Sequence, residues 1–360
     1  MRAAFAGAMT LAMLAPPALA ATPVAEVVAP RATLLPMEEN AASVYDAALS
    51  CVVQIRSTWV EAPRAPIKGL ELLLGKAAAE SAPVTNNSNA TGVLWDDAGH
   101  VVTMARLATP GSTFMLTLAD GSRRTAKVVG TDSTLDITVL KLDGPVVAQH
   151  PIVRGSSRSL RVGQRVYVIG NPFDLTNVMT EGMLGAISTK VAGNGHPALV
   201  LNASLNPDNQ GGPILDTAGR VIGLIHSSYS RGSGAALALG MPIDDIAAVV
   251  PRLIADGHVD HPRLGVQIED GNDVELPSGL PSGVAISRAD PGGAAERAGI
   301  LAREGNAIDV ITAIDGVEVR SYGDLRAQLD KHSAGQSCAL TVWRAGKTRL
   351  VTFQLGAAKR

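Results

Sequence analysis

The side chains able to do covalent or acid–base chemistry are few and scattered. The stretch Asn206-Pro207-Asp208-Asn209-Gln210-Gly211-Gly212-Pro213 is a tight, glycine-rich loop that carries Gln210. A carboxamide has no ionisable proton and does not attack a carbonyl carbon, whereas nucleophilic catalysis needs a hydroxyl or thiol with a base beside it. Ser204 lies six residues upstream on a predicted strand, and His226, Ser227 and Ser228 follow the next one, yet the spacing assigns none of these serines a base. The 7 histidines show neither H-x-x-x-H nor H-E-x-x-H spacing, so no metal site and no cofactor are expected. Cys51 and Cys338 each sit inside an alternating apolar run and read as small core residues, with a bridge between them as the alternative.

Three stretches together carry a resemblance. The loop at 206–213 resembles N-P-G-N-S-G-G-P, the nucleophile loop of chymotrypsin-like proteases and closely of their bacterial HtrA/DegP-like branch; Gln210 stands at the serine and Asp208 at an oxyanion-hole glycine. Thr91 to Thr103, followed by Met104-Ala105-Arg106, resembles the strand-turn-strand leading to the catalytic histidine and puts Arg106 in its place. Gly130-Thr131-Asp132-Ser133-Thr134-Leu135-Asp136-Ile137-Thr138-Val139-Leu140-Lys141 matches G-T-D-x-x-x-D-I-A-V-L-K and carries the family's aspartate onto Asp136. Arginine remains protonated and cannot act as a base. The resemblance thus implies a trypsin-like protease fold with only Asp136 of its triad left. It also places Arg106 beside Asp136, where a two-pronged ion pair that neutralises a buried carboxylate is expected.

A second resemblance follows Pro262. Arg263-Leu264-Gly265-Val266 resembles the carboxylate-binding loop of PDZ domains, and Gly283 to Ser287, Asp290 to Ile300 and Ile311 to Gly316 agree with it. Such domains add a peptide C-terminus as an edge strand. The expected groove has the strand Leu264, Gly265, Val266, Gln267, Ile268 on one side and Leu325, Gln328 and Leu329, from a helix opened by Ser321 and Asp324, on the other. About three extra residues around Asn306 to Ile308 lengthen the turn before Asp309.

The elements that must hold these residues follow from composition. Of the 360 residues 46% are apolar and only 3% aromatic, so the core is built from Val, Leu, Ile and Ala, as in strands. The 37 glycines and 21 prolines imply many turns, and a net charge of -2 gives no basic footprint for nucleic acid. The expected fold is mainly β: a chymotrypsin-like double β-barrel over 45–256, then an α+β PDZ domain over 262–356. Residues 1–20 read as a secretory signal, with Arg2, an apolar run from Ala3 to Leu14 and the small-x-small Ala18-Leu19-Ala20; no lipobox cysteine follows, so the mature chain is expected soluble, without a membrane span, in the periplasm. Residues 21–44 read as an extended leader, 61–84 as an insertion with a short helix over Ile67 to Ala79, and Asp244 to Asp256 as a helix stopped by Gly257.

Two functions remain open at the level of sequence. One is a pseudoprotease that binds peptide C-termini or unfolded proteins as chaperone, scaffold or regulator of protein quality control, alone, as a homo-trimer or in a hetero-oligomer with active relatives. The other is a serine-type endopeptidase working through non-standard residues.

Overall fold

The computed structural model describes residues 33–61, 84–146, 150–188, 198–229, 237–268, 280–300 and 308–357. The expected signal segment, most of the insertion and most of the lengthened turn before Asp309 lie outside these residues. Two closed six-stranded barrels come first. One comprises β1 (Val52–Glu61), β2 (Val84–Leu94), β3 (His100–Met104), β4 (Thr113–Thr117), β5 (Arg123–Asp132) and β6 (Ile137–Leu142), in the spatial order β1-β2-β3-β6-β5-β4. The other comprises β7 (Arg165–Gly170), β8 (Val178–Ser188), β9 (Ala198–Asn202), β10 (Pro213–Leu215), β11 (Val221–Tyr229) and β12 (Leu237–Pro242), in the order β10-β11-β12-β9-β8-β7. Closure leaves no free edge on either sheet. Each interior is filled by small aliphatic side chains: Ile55, Val101, Leu116 and Leu140 in the first, Val168, Leu184, Leu201 and Ile214 in the second.

The chain before the first barrel departs from the extended leader expected over 21–44. Pro36–Leu49 is a helix, α1, and the first barrel starts at Val52 rather than at Tyr45. Its cause is local. Pro36 opens the helix where its missing N–H costs nothing, Glu38 and Glu39 complement the positive N-terminal end, and Leu35 N–H donates to Glu38 Oε2 at 2.8 Å. Val44 and Ala48 are buried in the core shared by both barrels, while Asn40 donates to the Thr217 carbonyl at 2.9 Å.

A second helix, α2 (Ile243–Asp256), follows β12 and ends at Gly257 in the left-handed conformation, φ 77°, as the sequence reading expects. It buries Ile246, Val249, Val250 and Leu253 between the barrels. Its C-terminal end presses onto β5 so closely that a Cβ at Gly130 would stand 2.5 Å from the Leu253 carbonyl oxygen. The chain then crosses to the last domain past His261, whose Nε2 lies 2.7 Å from Asp132 Oδ2, both side chains buried.

That domain opens with β13 (Pro262–Arg263), which pairs with the final β20 (Gly356–Ala357). Its main sheet runs β14 (Val266–Ile268), β15 (Val284–Ala289), β16 (Asp309–Ile314), β18 (Ser337–Arg344) and β19 (Lys347–Gln354), with the short β17 (Val317–Glu318) on β16. Between them lie the single-turn α3 (Ala294–Arg297) and α4 (Tyr322–Leu329). Ser321 and Asp324 cap α4 reciprocally, at 3.1 and 3.0 Å. Strand β14 is shorter than the run Leu264 to Ile268 because Gly265, φ 71°, turns the backbone out of strand geometry. Cys51 and Cys338 are both buried and free, and burial pushes their thiols up to about 12 and about 11.

Candidate functional site: the Asp136 cluster and an edge-strand groove

The loop at 206–213 is held as a rigid frame. Thr91 N–H donates to the Gln210 carbonyl at 2.9 Å, Gly211 N–H to the Ile225 carbonyl at 2.7 Å, and Ile225 N–H back to the Gly212 carbonyl at 2.8 Å. Gly211 has φ 81°, and a Cβ there would stand 2.0 Å from the Thr91 carbonyl oxygen, so only glycine fits. Pro207–Asn209 forms a single 3₁₀ turn closed by Asn209 N–H donating to the Asn206 carbonyl at 3.0 Å. The Asp208 carboxylate accepts from Phe173 N–H at 3.3 Å, which ties this loop to the turn Pro172–Asp174. The Asp208 side chain is therefore held in place.

Asp136, φ 54°, sits at the end of the β5–β6 connection. Asp132 builds that connection: its Oδ1 accepts from Thr134 N–H at 2.9 Å and Leu135 N–H at 3.2 Å. Burial works against the Asp132 charge, but the hydrogen bond from His261 and the backbone N–H groups hold its carboxyl below the usual range. The Asp136 backbone carbonyl accepts from Ala105 N–H at 2.9 Å and its Oδ1 from Arg106 N–H at 3.0 Å, so the residue caps the 3₁₀ turn Ala105–Leu107.

Arg106 and Asp136 do meet, but not as the two-pronged pair expected. A single guanidinium nitrogen, Nη2, lies 3.4 Å from Asp136 Oδ2, and the same Nη2 donates to the His226 carbonyl. The pair is half-open to solvent, with side chains 38% and 25% exposed. The other Asp136 oxygen, Oδ1, accepts from the Arg106 backbone N–H. Burial pulls the guanidinium below its ordinary value and the Asp136 charge opposes that.

The other Asp136 neighbour is one the sequence reading did not place there. His226 Nε2 lies 3.3 Å from Asp136 Oδ2, and His226 Nδ1 lies 3.0 Å from Ser227 Oγ. A register shift between Ile225 and Ser227 makes His226 a bulged residue of β11. The bulge re-aims its ring toward the first barrel. A bulge of one residue inside an apolar strand leaves no mark in the sequence pattern. Ser204 is exposed and lies two residues beyond the end of β9, off the strand on which it was expected.

The last domain carries a groove of about 300 Å³ between β14 and α4. Leu264, Gly265, Val266 and Ile268 line one side, and Leu325 and Leu329 the other. Two of the expected groove residues are absent from its lining. Gln267 is exposed and alternates to the opposite face of β14, and Gln328 Oε1 accepts from Lys331 Nζ at 2.8 Å. Among the described residues β14 pairs only with β15, so within them its other edge is open to a further strand. Ser133 and Thr134, from the β5–β6 connection, reach the same groove, a contribution from the first barrel that no local motif encodes.

The chain matches the trypsin-like peptidase domain family over residues 90–224 and the PDZ domain family over residues 262–355. It is 33% identical over 277 residues to Protease Do-like 1 of Arabidopsis thaliana chloroplasts, a match covering 74% of this chain and 63% of that one. It is 32% identical over 280 residues to a probable periplasmic serine endoprotease, DegP-like, of Brucella suis, covering 76% and 53%. It is 30% identical over 292 residues to the serine protease Do-like HtrA of Lactobacillus helveticus, covering 75% and 69%. The chain thus spans between 53% and 69% of the length of these relatives. Among solved structures, the HtrA-type protease AlgW with a decapeptide superposes with a TM-score of 0.70 at 24% identity, covering 89% of this chain and 99% of that one. The two barrels and the sheet domain with its open-edged groove belong together: this chain is a member of the HtrA/DegP-like family, a trypsin-like peptidase domain joined to a PDZ domain.

Proposed function

We propose that this protein is a periplasmic pseudoprotease of its family, which binds peptide C-termini or the ends of unfolded proteins in the groove between β14 and α4 and acts in protein quality control as chaperone, scaffold or regulator. The observation that carries the reading is the pairing of a glutamine at 210 with a guanidinium at 106. The loop that should present a nucleophile is built to its full backbone geometry, and what it presents cannot attack. The base position is filled by a group already engaged with Asp136 and the His226 carbonyl. Loss of nucleophile and base together leaves at most the small residual rate that binding alone supplies.

The groove retains what peptide capture needs, an open strand edge beside an apolar wall. Periplasmic placement rests on the secretory pattern of residues 1–20 and on relatives named as periplasmic. The test has two arms. An unfolded substrate followed by intact mass over hours is expected to stay whole, and new fragments absent from a mock preparation overturn the pseudoprotease reading. Fluorescent peptides with an apolar C-terminal residue are expected to bind at least tenfold more tightly as free acids than as C-terminal amides; equal binding removes the groove as a C-terminus site.

A further inference from the structure

The wall that α4 turns to the groove carries a charge. Tyr322, Leu325, Arg326 and Leu329 all line the groove, spaced i, i+3, i+4, i+7, so Arg326 stands in the middle of one helical face. Its side chain is only 8% exposed. Nη1 reaches the Pro262 carbonyl at 3.5 Å and Nη2 lies 2.9 Å from Asp330 Oδ1, yet among the described residues neither Nε nor Nη2 has an acceptor in hydrogen-bonding geometry. These two nitrogens share one edge of the guanidinium, an edge able to meet both oxygens of a carboxylate. A buried cation with an unsatisfied edge is costly until a further acceptor completes it.

The first barrel supplies a second polar group. Asp132, fixed 2.7 Å from His261, brings Ser133 and Thr134 to the groove, and Ser133 is exposed. Of the charged side chains on the lining, Arg263 and Arg326 are cations against the carboxylate of Asp290, which stands by Gly265 rather than on α4. Charges held in a walled groove are less screened than at an open surface. We infer that the groove selects peptides carrying an acidic side chain toward α4, held by the charge of Arg326 with the Ser133 hydroxyl as a further donor. The inference rests on the peptide-binding reading and adds a selectivity that apolar walls alone do not supply. A peptide added to β14 as a strand points alternate side chains at α4. With an apolar last residue facing the leucines, the next side chain on that face is the third from the end.

The experiment uses the full mature chain and short fluorescent peptides ending in an apolar residue, with glutamate or its neutral isostere glutamine third from the end. The same pair placed second from the end is the control that points away from α4. Fluorescence anisotropy is expected to show glutamate binding about fivefold or more tighter than glutamine at the third place, with no difference at the second. Because each ratio is taken within one variant, a general loss of groove shape does not move it. The ratio should vanish in Arg326→Met, survive in Arg326→Lys and shrink in Ser133→Ala; circular dichroism checks each fold, and Arg326→Gln replaces the methionine variant if that one does not fold. No glutamate preference at the third place in the wild-type protein, or an equal preference once the Arg326 charge is removed, overturns the inference. Each peptide is also measured as its C-terminal amide. Free acids that outbind amides without any glutamate preference overturn the selectivity alone, whereas binding of none of the peptides removes the groove reading with it.

Discussion

Asp245 offers a direct electrostatic test of the junction between the peptidase domain and the PDZ domain. It lies in the first turn of α2, and among the described residues its Oδ2 is buried with no hydrogen-bond partner. Burial pushes its carboxyl from 3.8 up to about 6, the charges of Asp330 and Asp244 add to the rise, and Arg158 opposes it. In the unfolded chain the group ionises near the ordinary value; in the folded one it holds its proton until about pH 6. Between those limits the folded state binds more protons, so stability is greatest at low pH and falls as pH rises through that window. At 1.36 kcal/mol for each pH unit of difference, the loss reaches about 3 kcal/mol by neutrality.

Asp245→Asn removes the charge and keeps the shape. The expected result is a shift in melting temperature that is more favourable at pH 7.5 than at pH 4, the difference corresponding to about 2–3 kcal/mol, or roughly 5–10 °C for domains of this size. Calorimetry at both pH values reads it. Equal shifts at the two pH values refute the reasoning. Asp244 is the internal contrast: burial works against its charge, but the hydroxyls of Ser157 and Ser156 and two backbone N–H groups hold it below the usual range. Its contribution is present above pH 3.8 and lost below, so Asp244→Asn is expected to destabilise at pH 7.5 and to be near neutral in acid.

Other consequences follow from the same geometry. Gly211→Ala should destabilise the second barrel by about 3 kcal/mol or more, because the added methyl would stand 2.0 Å from the Thr91 carbonyl at a positive φ; urea titration followed by far-ultraviolet dichroism measures it. Arg106→Ala should lower stability by no more than about 1 kcal/mol, since the pair with Asp136 is single-pronged and half-exposed; a loss several times larger would show that Asp136 depends on its cation. Gly265→Asp should weaken binding of a free-acid peptide at least tenfold and also lower the melting point somewhat, because the new charge would face the peptide carboxylate and sits at a positive φ with Asp290 Oδ2 3.8 Å from its Cβ. Fluorescence anisotropy against the acid and the amide of one peptide separates charge from bulk.

Much of this was legible before any coordinates. Turns with glycine at fixed offsets and short alternating runs specify two barrels and a sheet domain, and the stop at Gly257 and the cap at Ser321 follow from local chemistry that few tertiary contacts can override. The helix Pro36–Leu49 was not, because only Val44 and Ala48 are fully buried on it, with Ala41 and Tyr45 partly buried beside them, a short apolar face in a stretch rich in alanine. Gln267 and Gln328 lie off the groove lining: Gln267 is exposed on the other face of β14, and Gln328 is engaged by Lys331. The approach of His226 to Asp136 joins residues 90 positions apart across two barrels through a bulge, and sequence periodicity carries no information about it.

Asp136 has a structural role that does not depend on catalysis. In a working triad the carboxylate is discussed for what it does to an imidazole. Here its backbone carbonyl and one carboxylate oxygen accept from the N–H groups of Ala105 and Arg106, which holds the turn after β3, and the residue adopts φ 54° to do so. Those bonds hold whichever side chain occupies position 106. Replacing Asp136 by asparagine keeps a carbonyl oxygen for the Arg106 N–H and the tolerance for positive φ, whereas alanine loses both. The turn should therefore survive Asp136→Asn and fray in Asp136→Ala, with amide exchange at Ala105 and Arg106 rising only in the latter. Equal protection in the two variants would mean that the aspartate stands for its charge, and that its pairing with Arg106 and His226 is what the fold retains.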